Sequence, residues 1–173
     1  MNALWTQLEL GWFEAVCDSL AMVVNAHPEE RFYAGAFWLL HGNGTSLLCP
    51  VFGVNSEETD LTIRWNPPDW RWSIIDQAHE RVRPLYVGLS DLDGDKRCFD
   101  THWEEHIDML SRVCRRVTAV ARSHEIAALP SGLCDRFFVG IIDFSHGDAA
   151  FDYLRRSVDE ITLREAGLLD DST

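Results

Sequence analysis

The sequence predicts an α+β fold in which a small antiparallel sheet of about four strands packs against three to four helices. Long segments with apolar residues at steps of three and four are interspersed with short apolar runs bounded by glycine and proline. One glycine-rich reversal joins two of the short runs, and no strand–helix–strand unit repeats along the chain. A chain of 173 residues is long enough for one packed core and short for two, so we expect a single globular domain over residues 1–173.

Four segments carry the apolar spacing of helices. The first has one continuous apolar stripe and stops before Pro28, since proline cannot continue a helix. The second contains Pro84, where we expect a kink or a division. The third has acids in its first turns and bases in its later ones, which suits the helix dipole. The expected helices cover residues 3–25, 73–92, 100–124 and 147–169.

Four short runs have the composition of strands. The run "RFYAGAFWLL" is apolar on both faces, as in a strand covered on both sides. The glycines of "HGNG" permit a tight reversal into the next run, where Pro50 indicates a sheet edge or a bulge. The expected strands cover residues 31–40, 45–55, 61–65 and 136–144.

The charge balance excludes some classes of partner. The chain has 28 acids and 15 bases, for a net charge of −13, and Lys96 is its single lysine. Binding to the phosphates of nucleic acids depends on lysine and arginine, so we expect no nucleic-acid partner. A negative field of this size attracts basic proteins instead, although acidity can also serve solubility alone.

The cysteines and the apolar runs bear on the compartment. Five cysteines are scattered without a C-x-x-C pair, which favours reduced thiols. No apolar run approaches the roughly 20 residues that cross a bilayer, and no base precedes Arg31 to form the basic start of a secretory signal. We therefore expect a cytoplasmic protein that does not contact a membrane.

The sharpest match to a catalytic motif is "HWEEH". Its His-x-x-Glu-His spacing resembles an inverted zinc-protease pattern, in which His102 and His106 bind the metal and Glu105 takes a proton from the bound water. The third ligand must come from elsewhere, and the candidates are the downstream glutamates Glu160 and Glu165, of which we expect Glu160. The helical wheel opposes this reading, because His106 falls inside the apolar stripe that includes Trp103. We therefore expect no metal and no cofactor, and retain zinc hydrolysis as the alternative.

The stretch "RWNPPDWRW" places three tryptophans and two arginines at one turn. Its paired prolines stiffen the chain between Trp65 and Trp70. Trp70 and Trp72 are two residues apart and would share one face in an extended chain, and Arg71 can lie over an indole ring. Two interpretations remain open: a clamp that closes the core, or the anchor of a protein interface.

Three short motifs are similar to those of a family of bacterial domains of unknown function. They are an F-Y-A-x-A-F strand, an N-[ST]-E-E step and an R-W-x-P-x-x-W turn, here Phe32–Phe37, Asn55–Glu58 and Arg64–Trp70. The segment "VGIIDFSHGDAAFDYLRRSV" also resembles the C-terminal half of that family. The family has no assigned reaction, so the resemblance implies a one-domain α+β fold and no particular activity.

These observations lead to a functional hypothesis. We expect a non-enzymatic interaction protein, most concretely an immunity protein that binds and neutralises a basic bacterial toxin through an acidic surface. The alternatives are the zinc hydrolase and a housekeeping module without a stable partner. The expected partner-binding residues are surface acids with two aromatic anchors: Glu9, Glu14, Asp152, Asp159, Glu160, Trp70 and Trp72.

Overall fold

The computed structural model describes residues 3–39, 47–56, 66–73, 75–90, 96–123, 132–143 and 151–169. It confirms an α+β fold. The elements are helix α1 (Ala3–Ala26), strand β1 (Phe32–Trp38), strand β2 (Val51–Ser56), a 3-10 turn (Pro67–Asp69), helix α2 (Asp76–Ser90), helix α3 (Lys96–Ser123), strand β3 (Leu133–Ile142), helix α4 (Asp152–Ser157) and helix α5 (Glu160–Glu165).

The strands form a mixed sheet, so the expectation of a purely antiparallel sheet is wrong. In the described residues the sheet has three strands in the order β2-β1-β3. β1 pairs antiparallel with β2 and parallel with β3. The parallel pair is possible because two long helices lie between β1 and β3 in the chain and carry it back to the same end of the sheet. The strand expected at residues 61–65 lies outside the described residues.

Both faces of the sheet are covered, and alternate residues of each strand enter different hydrophobic clusters. Phe37 and Ile141 belong to the cluster that includes α1, α2 and α3. Ala36, Phe138 and Ile142 belong to the cluster that includes α4 and α5. Because successive side chains of a strand point to opposite faces, the three long helices cover one face and the two short helices the other.

The C-terminal segment differs from the single helix that the sequence predicts. α4 ends at Ser157, Val158 is extended, and α5 begins after Asp159. The carboxylate of Asp159 accepts a hydrogen bond from the backbone N–H of Thr162 at 2.9 Å, so it caps α5. The break lets both short helices follow the sheet. α2, by contrast, continues through Pro84 as one helix.

A helix that crosses a bilayer needs roughly 20 predominantly apolar residues. None of the described helices combines the length and the hydropathy that a bilayer span requires. Among the described cysteines, Cys17, Cys49 and Cys114 are free thiols.

Candidate functional site

The tryptophan turn is the part of "RWNPPDWRW" that the structure describes, residues 66–72. It is hydrogen-bonded to the edge of β2. After the 3-10 turn, the backbone N–H of Val54 donates to the carbonyl of Trp72 at 2.9 Å. Gly53 makes this approach possible, because a Cβ there would lie 2.6 Å from the carbonyl oxygen of Ser73. The indole of Trp38 also donates to the Ser73 carbonyl, at 3.0 Å. The turn therefore covers the edge of the sheet.

The two tryptophans of this turn lie on opposite faces of the sheet, so the expectation that they share a face is wrong. Trp70 is 3 % exposed and packs with Tyr33 and Ala34 in the cluster of α4 and α5. Trp72 is half-buried and packs against the cluster of the three long helices. The backbone turns at Arg71 instead of staying extended, which separates the two rings. Trp65 lies outside the described residues.

Trp72 forms the centre of a corner between α1 and β1. The centroids of the His27 and Trp72 rings lie 5.0 Å apart, and the guanidinium carbon of Arg71 lies 4.7 Å from the Trp72 ring centroid. Arg71 also donates a hydrogen bond to Glu30. We call these residues, together with Glu29, the Trp72 corner. The interface interpretation gains a partly buried tryptophan beside an exposed arginine here, while Trp70 fits the core interpretation.

The charges of the Trp72 corner are unevenly buried. Glu30 has 4 % of its side chain exposed, whereas its partner Arg71 has 62 % exposed. Oε1 of Glu30 accepts the bond from Arg71, but Oε2 is buried and has no hydrogen-bond partner in the described part of the chain. Nδ1 of His27 lies 3.8 Å from an oxygen of Glu29. The corner thus brings one ligand atom from each of His27, Glu29 and Glu30 within 4.8 Å of one another.

The side chains of the zinc motif do not have the arrangement of metal ligands. His106 is completely buried, and its Nε2 lies 2.7 Å from the hydroxyl of Tyr86. Glu105 accepts a hydrogen bond from the indole of Trp5 at 2.8 Å, and Glu160 pairs with Arg164 on α5. Within the described ranges, the group whose ligand atoms come together is His27, Glu29 and Glu30. The structure does not gather His102, His106 and Glu160 into such a group.

The environment of His106 keeps its imidazole neutral. Burial lowers the pKa of His106 from 6.5 to about 3. The Trp5 ring stacks on the His106 ring with centroids 6.1 Å apart, and the indole of Trp12 donates to the Tyr86 hydroxyl at 3.0 Å. This is a packed and hydrogen-bonded core histidine, as its place in the apolar stripe of α3 suggests. The sequence carried no signal for Tyr86 or Trp12 as its partners.

The acids predicted to bind a partner all have partners within the chain. Asp159 caps α5, as described above. Each of the others contacts an arginine: Glu9 with Arg112 at 2.9 Å, Glu14 with Arg81 at 2.5 Å, Asp152 with Arg155 at 3.1 Å and Glu160 with Arg164 at 2.7 Å. The pairs of Glu14, Asp152 and Glu160 are exposed and contribute little to stability, so they can exchange for a partner's charges at small cost.

A groove of about 280 Å³ lies between α3 and the segment that joins α4 to α5. Arg122 lines it and donates to the carbonyl of Phe137 at 2.9 Å and to the hydroxyl of Thr162 at 3.0 Å. Arg115 lines it as well and donates to the carbonyl of Arg156 at 2.7 Å. Both guanidinium groups thus hold neighbouring elements in place.

Comparisons of the chain with protein-family models, with curated proteins and with solved structures give no match. The resemblance carried by the motifs at residues 32–37, 55–58 and 64–70 therefore stays a prediction.

Proposed function

We propose that this protein is a non-enzymatic binding protein that neutralises a basic protein, most concretely a bacterial toxin, as immunity proteins do. The observation that carries the proposal is that, in two places on the surface, two acidic side chains contact the same arginine. Glu14 and Asp18 both contact Arg81, at 2.5 and 2.6 Å. The same arrangement recurs between α3 and α4, where two acids contact Arg156.

Shared arginines leave a surface that is both negative and ordered. Two carboxylates against one guanidinium keep a net charge of −1 in each cluster, while the arginine holds the carboxylates in position. The carboxylates remain accessible, since the side chain of Glu14 is 45 % exposed and that of Asp18 is 75 % exposed. Preorganised charges lose less side-chain entropy on binding, and a negative field speeds the approach of a basic partner.

The α1–α2 side of the molecule is the favoured binding face. Trp12 contacts Tyr86, whereas Asp18, later in α1, contacts Arg81, earlier in α2, so the two helices are antiparallel. Asp18 lies eight residues before the end of α1 at Ala26, about 12 Å along the helix axis. The acidic cluster of Glu14 and Asp18 therefore lies near the end of α1 from which the chain enters the Trp72 corner.

The Trp72 corner supplies an anchor for this face. A tryptophan with a stacked arginine is the residue combination that dominates many interface energies. Trp72 is half-buried and thus held in place, and Arg71 beside it is 62 % exposed. Glu29, with 68 % of its side chain exposed, adds negative charge at the same corner. Trp70, by contrast, is in the core and supports the fold rather than a contact.

The experiment is co-expression of the protein with the products of its neighbouring genes, followed by native mass spectrometry. We expect a stoichiometric complex with a basic protein, whose dissociation constant rises as salt is added, because exposed charges are screened. A complex that is insensitive to salt would overturn the electrostatic mechanism. A protein that stays alone with every neighbour would overturn the proposal and favour the housekeeping module.

A further inference from the structure

We infer that His27, Glu29 and Glu30 form a binding site for one divalent transition-metal ion, with zinc as the best fit. Each of the three residues offers one ligand atom, and these atoms all lie within 4.8 Å of one another. The inference goes beyond the proposed function, because the site is defined by side chains of this chain alone and does not need a partner.

The donor set selects the class of ion. One imidazole nitrogen with two carboxylate oxygens suits zinc and its neighbours in the transition series, whereas calcium and magnesium prefer oxygen ligands throughout. Three protein ligands are also the number that an open zinc site uses, with water or a partner's side chain in the fourth position.

The buried oxygen of Glu30 gives an independent reason to expect a cation. Glu30 is 4 % exposed, and its Oε2 has no hydrogen-bond partner among the described residues. A buried carboxylate oxygen without a partner is costly, and a bound ion is one of the few ways to satisfy it. Arg71 engages the other oxygen, Oε1.

Neighbouring side chains act as supports for the ligands. Arg71 holds the Glu30 carboxylate through Oε1, in the way that metal-binding carboxylates are commonly held by a second hydrogen bond. The Arg71 side chain is 62 % exposed, so solvent screens its repulsion of the ion. The Trp72 ring, 5.0 Å from the ring of His27, limits the orientations of the imidazole. The backbone also fixes the loop, since the N–H of Glu30 donates to the carbonyl of His27 at 3.1 Å.

Other described groups are poor competitors for zinc. Burial raises the pKa of Cys17 to about 11 and that of Cys49 to about 12, so both thiols stay protonated at neutral pH. His106 is enclosed in the core with its Nε2 engaged by Tyr86. Among the described residues, the Trp72 corner is where three possible ligand atoms come together.

The test is isothermal titration of the chelator-treated full chain with zinc chloride. We expect one zinc per chain and a loss of affinity of at least about tenfold in each of His27→Ala, Glu29→Gln and Glu30→Gln, because even a support of a metal ligand commonly contributes 10–100-fold. The matched control is the double variant His79→Ala/Glu80→Gln, which removes an adjacent histidine–glutamate pair on α2. The control is expected to bind zinc as the unaltered chain does.

A second measurement locates the ion without a substitution among the ligands. In NMR spectra of the unaltered chain, zinc should shift the indole N–H resonance of Trp72, assigned with the Trp72→Phe variant. The indole resonances of Trp5 and Trp103, which contact α3 and α4 groups, should not move. Absence of zinc binding, binding that survives all three ligand substitutions, or shifts only at Trp5 and Trp103 would each overturn the inference.

Discussion

The hydroxyl of Tyr86 lies 2.7 Å from Nε2 of His106, and both side chains are buried in the core between α2 and α3. The indole of Trp12 donates to the same hydroxyl at 3.0 Å. One hydrogen bond joins the Tyr86 hydroxyl to Nε2 of His106, and the tautomer of the imidazole decides which of the two donates. The Tyr86 hydroxyl thus joins the three helices that cover one face of the sheet.

The burial of His106 predicts that the protein loses stability at acidic pH. Burial lowers the pKa of His106 from 6.5 to about 3, so between these pH values the unfolded chain binds a proton that the folded chain does not. Above pH 6.5 the imidazole is neutral in both states, and the folded state keeps the full contribution of His106 to its stability. This contribution declines as the pH falls towards 3, because the unfolded chain becomes protonated first. The expected decline in the free energy of unfolding is about 1.4 kcal/mol per pH unit, measured by urea unfolding across this range.

The control for this prediction is His106→Gln, which keeps a polar side chain of similar reach without a titrating ring. We expect this variant to be less stable at pH 7 and to lose less free energy of unfolding between pH 6.5 and 4. If its pH profile runs parallel to that of the unaltered chain, carboxylates rather than His106 cause the acid sensitivity.

A second prediction concerns the contact between β2 and the tryptophan turn. In Gly53→Ala the new Cβ would lie 2.6 Å from the Ser73 carbonyl oxygen and 2.7 Å from that of Trp72, so the backbone must move apart. We expect a loss of at least about 2 kcal/mol in the free energy of unfolding, as for other overpacked sites. Urea unfolding at neutral pH measures it.

Gly11 on α1 offers the matched control. A Cβ at Gly11 would meet no atom closer than 3.4 Å, and alanine is the better helix former. Gly11→Ala is therefore expected to raise the free energy of unfolding by up to about 1 kcal/mol. Similar effects of the two substitutions would contradict the close approach at Gly53.

Part of this architecture follows from local sequence. The apolar spacing of α1 and the helix-breaking Pro28 predict its extent to within a residue, since the structure ends the helix at Ala26. The helical wheel of α3 likewise places His106 inside the apolar stripe, where it is found. Such features depend on periodicity and termination signals, which a single sequence contains.

Other features depend on contacts between distant residues. The parallel pairing of β3 with β1 is set by how α2 and α3 cross the sheet, and no residue of β3 encodes its neighbour. The Tyr86–His106 bond and the ligand group at the Trp72 corner also join separate elements. The break before α5 had a local signal, because Asp159 precedes Thr162 at cap spacing, but the apolar pattern on both sides favoured a single helix.

A third prediction separates the two tryptophans of the turn. Trp70→Ala should lower the free energy of unfolding by about 3–5 kcal/mol, because the ring is 3 % exposed and its removal leaves a cavity in the cluster of α4 and α5. Trp72→Ala should cost less, because Trp72 is less completely buried than Trp70. Urea unfolding of both variants gives the comparison. A larger loss for Trp72 would show that this residue serves the core first and would weaken its role as an interface anchor.

The last prediction tests which acidic cluster meets a basic partner, and it rests on the proposed function. Glu14→Gln/Asp18→Asn removes two charges from the α1–α2 face, and Glu104→Gln/Asp108→Asn removes two from the α3–α4 face. Each pair contacts its own exposed arginine, so the two variants are matched in charge and in local structure. At low salt we expect the first variant to slow association with the captured partner by about tenfold, and the second to slow it less. Stopped-flow association rates provide the measurement, and an equal or larger effect of the second variant would move the binding face to α3 and α4.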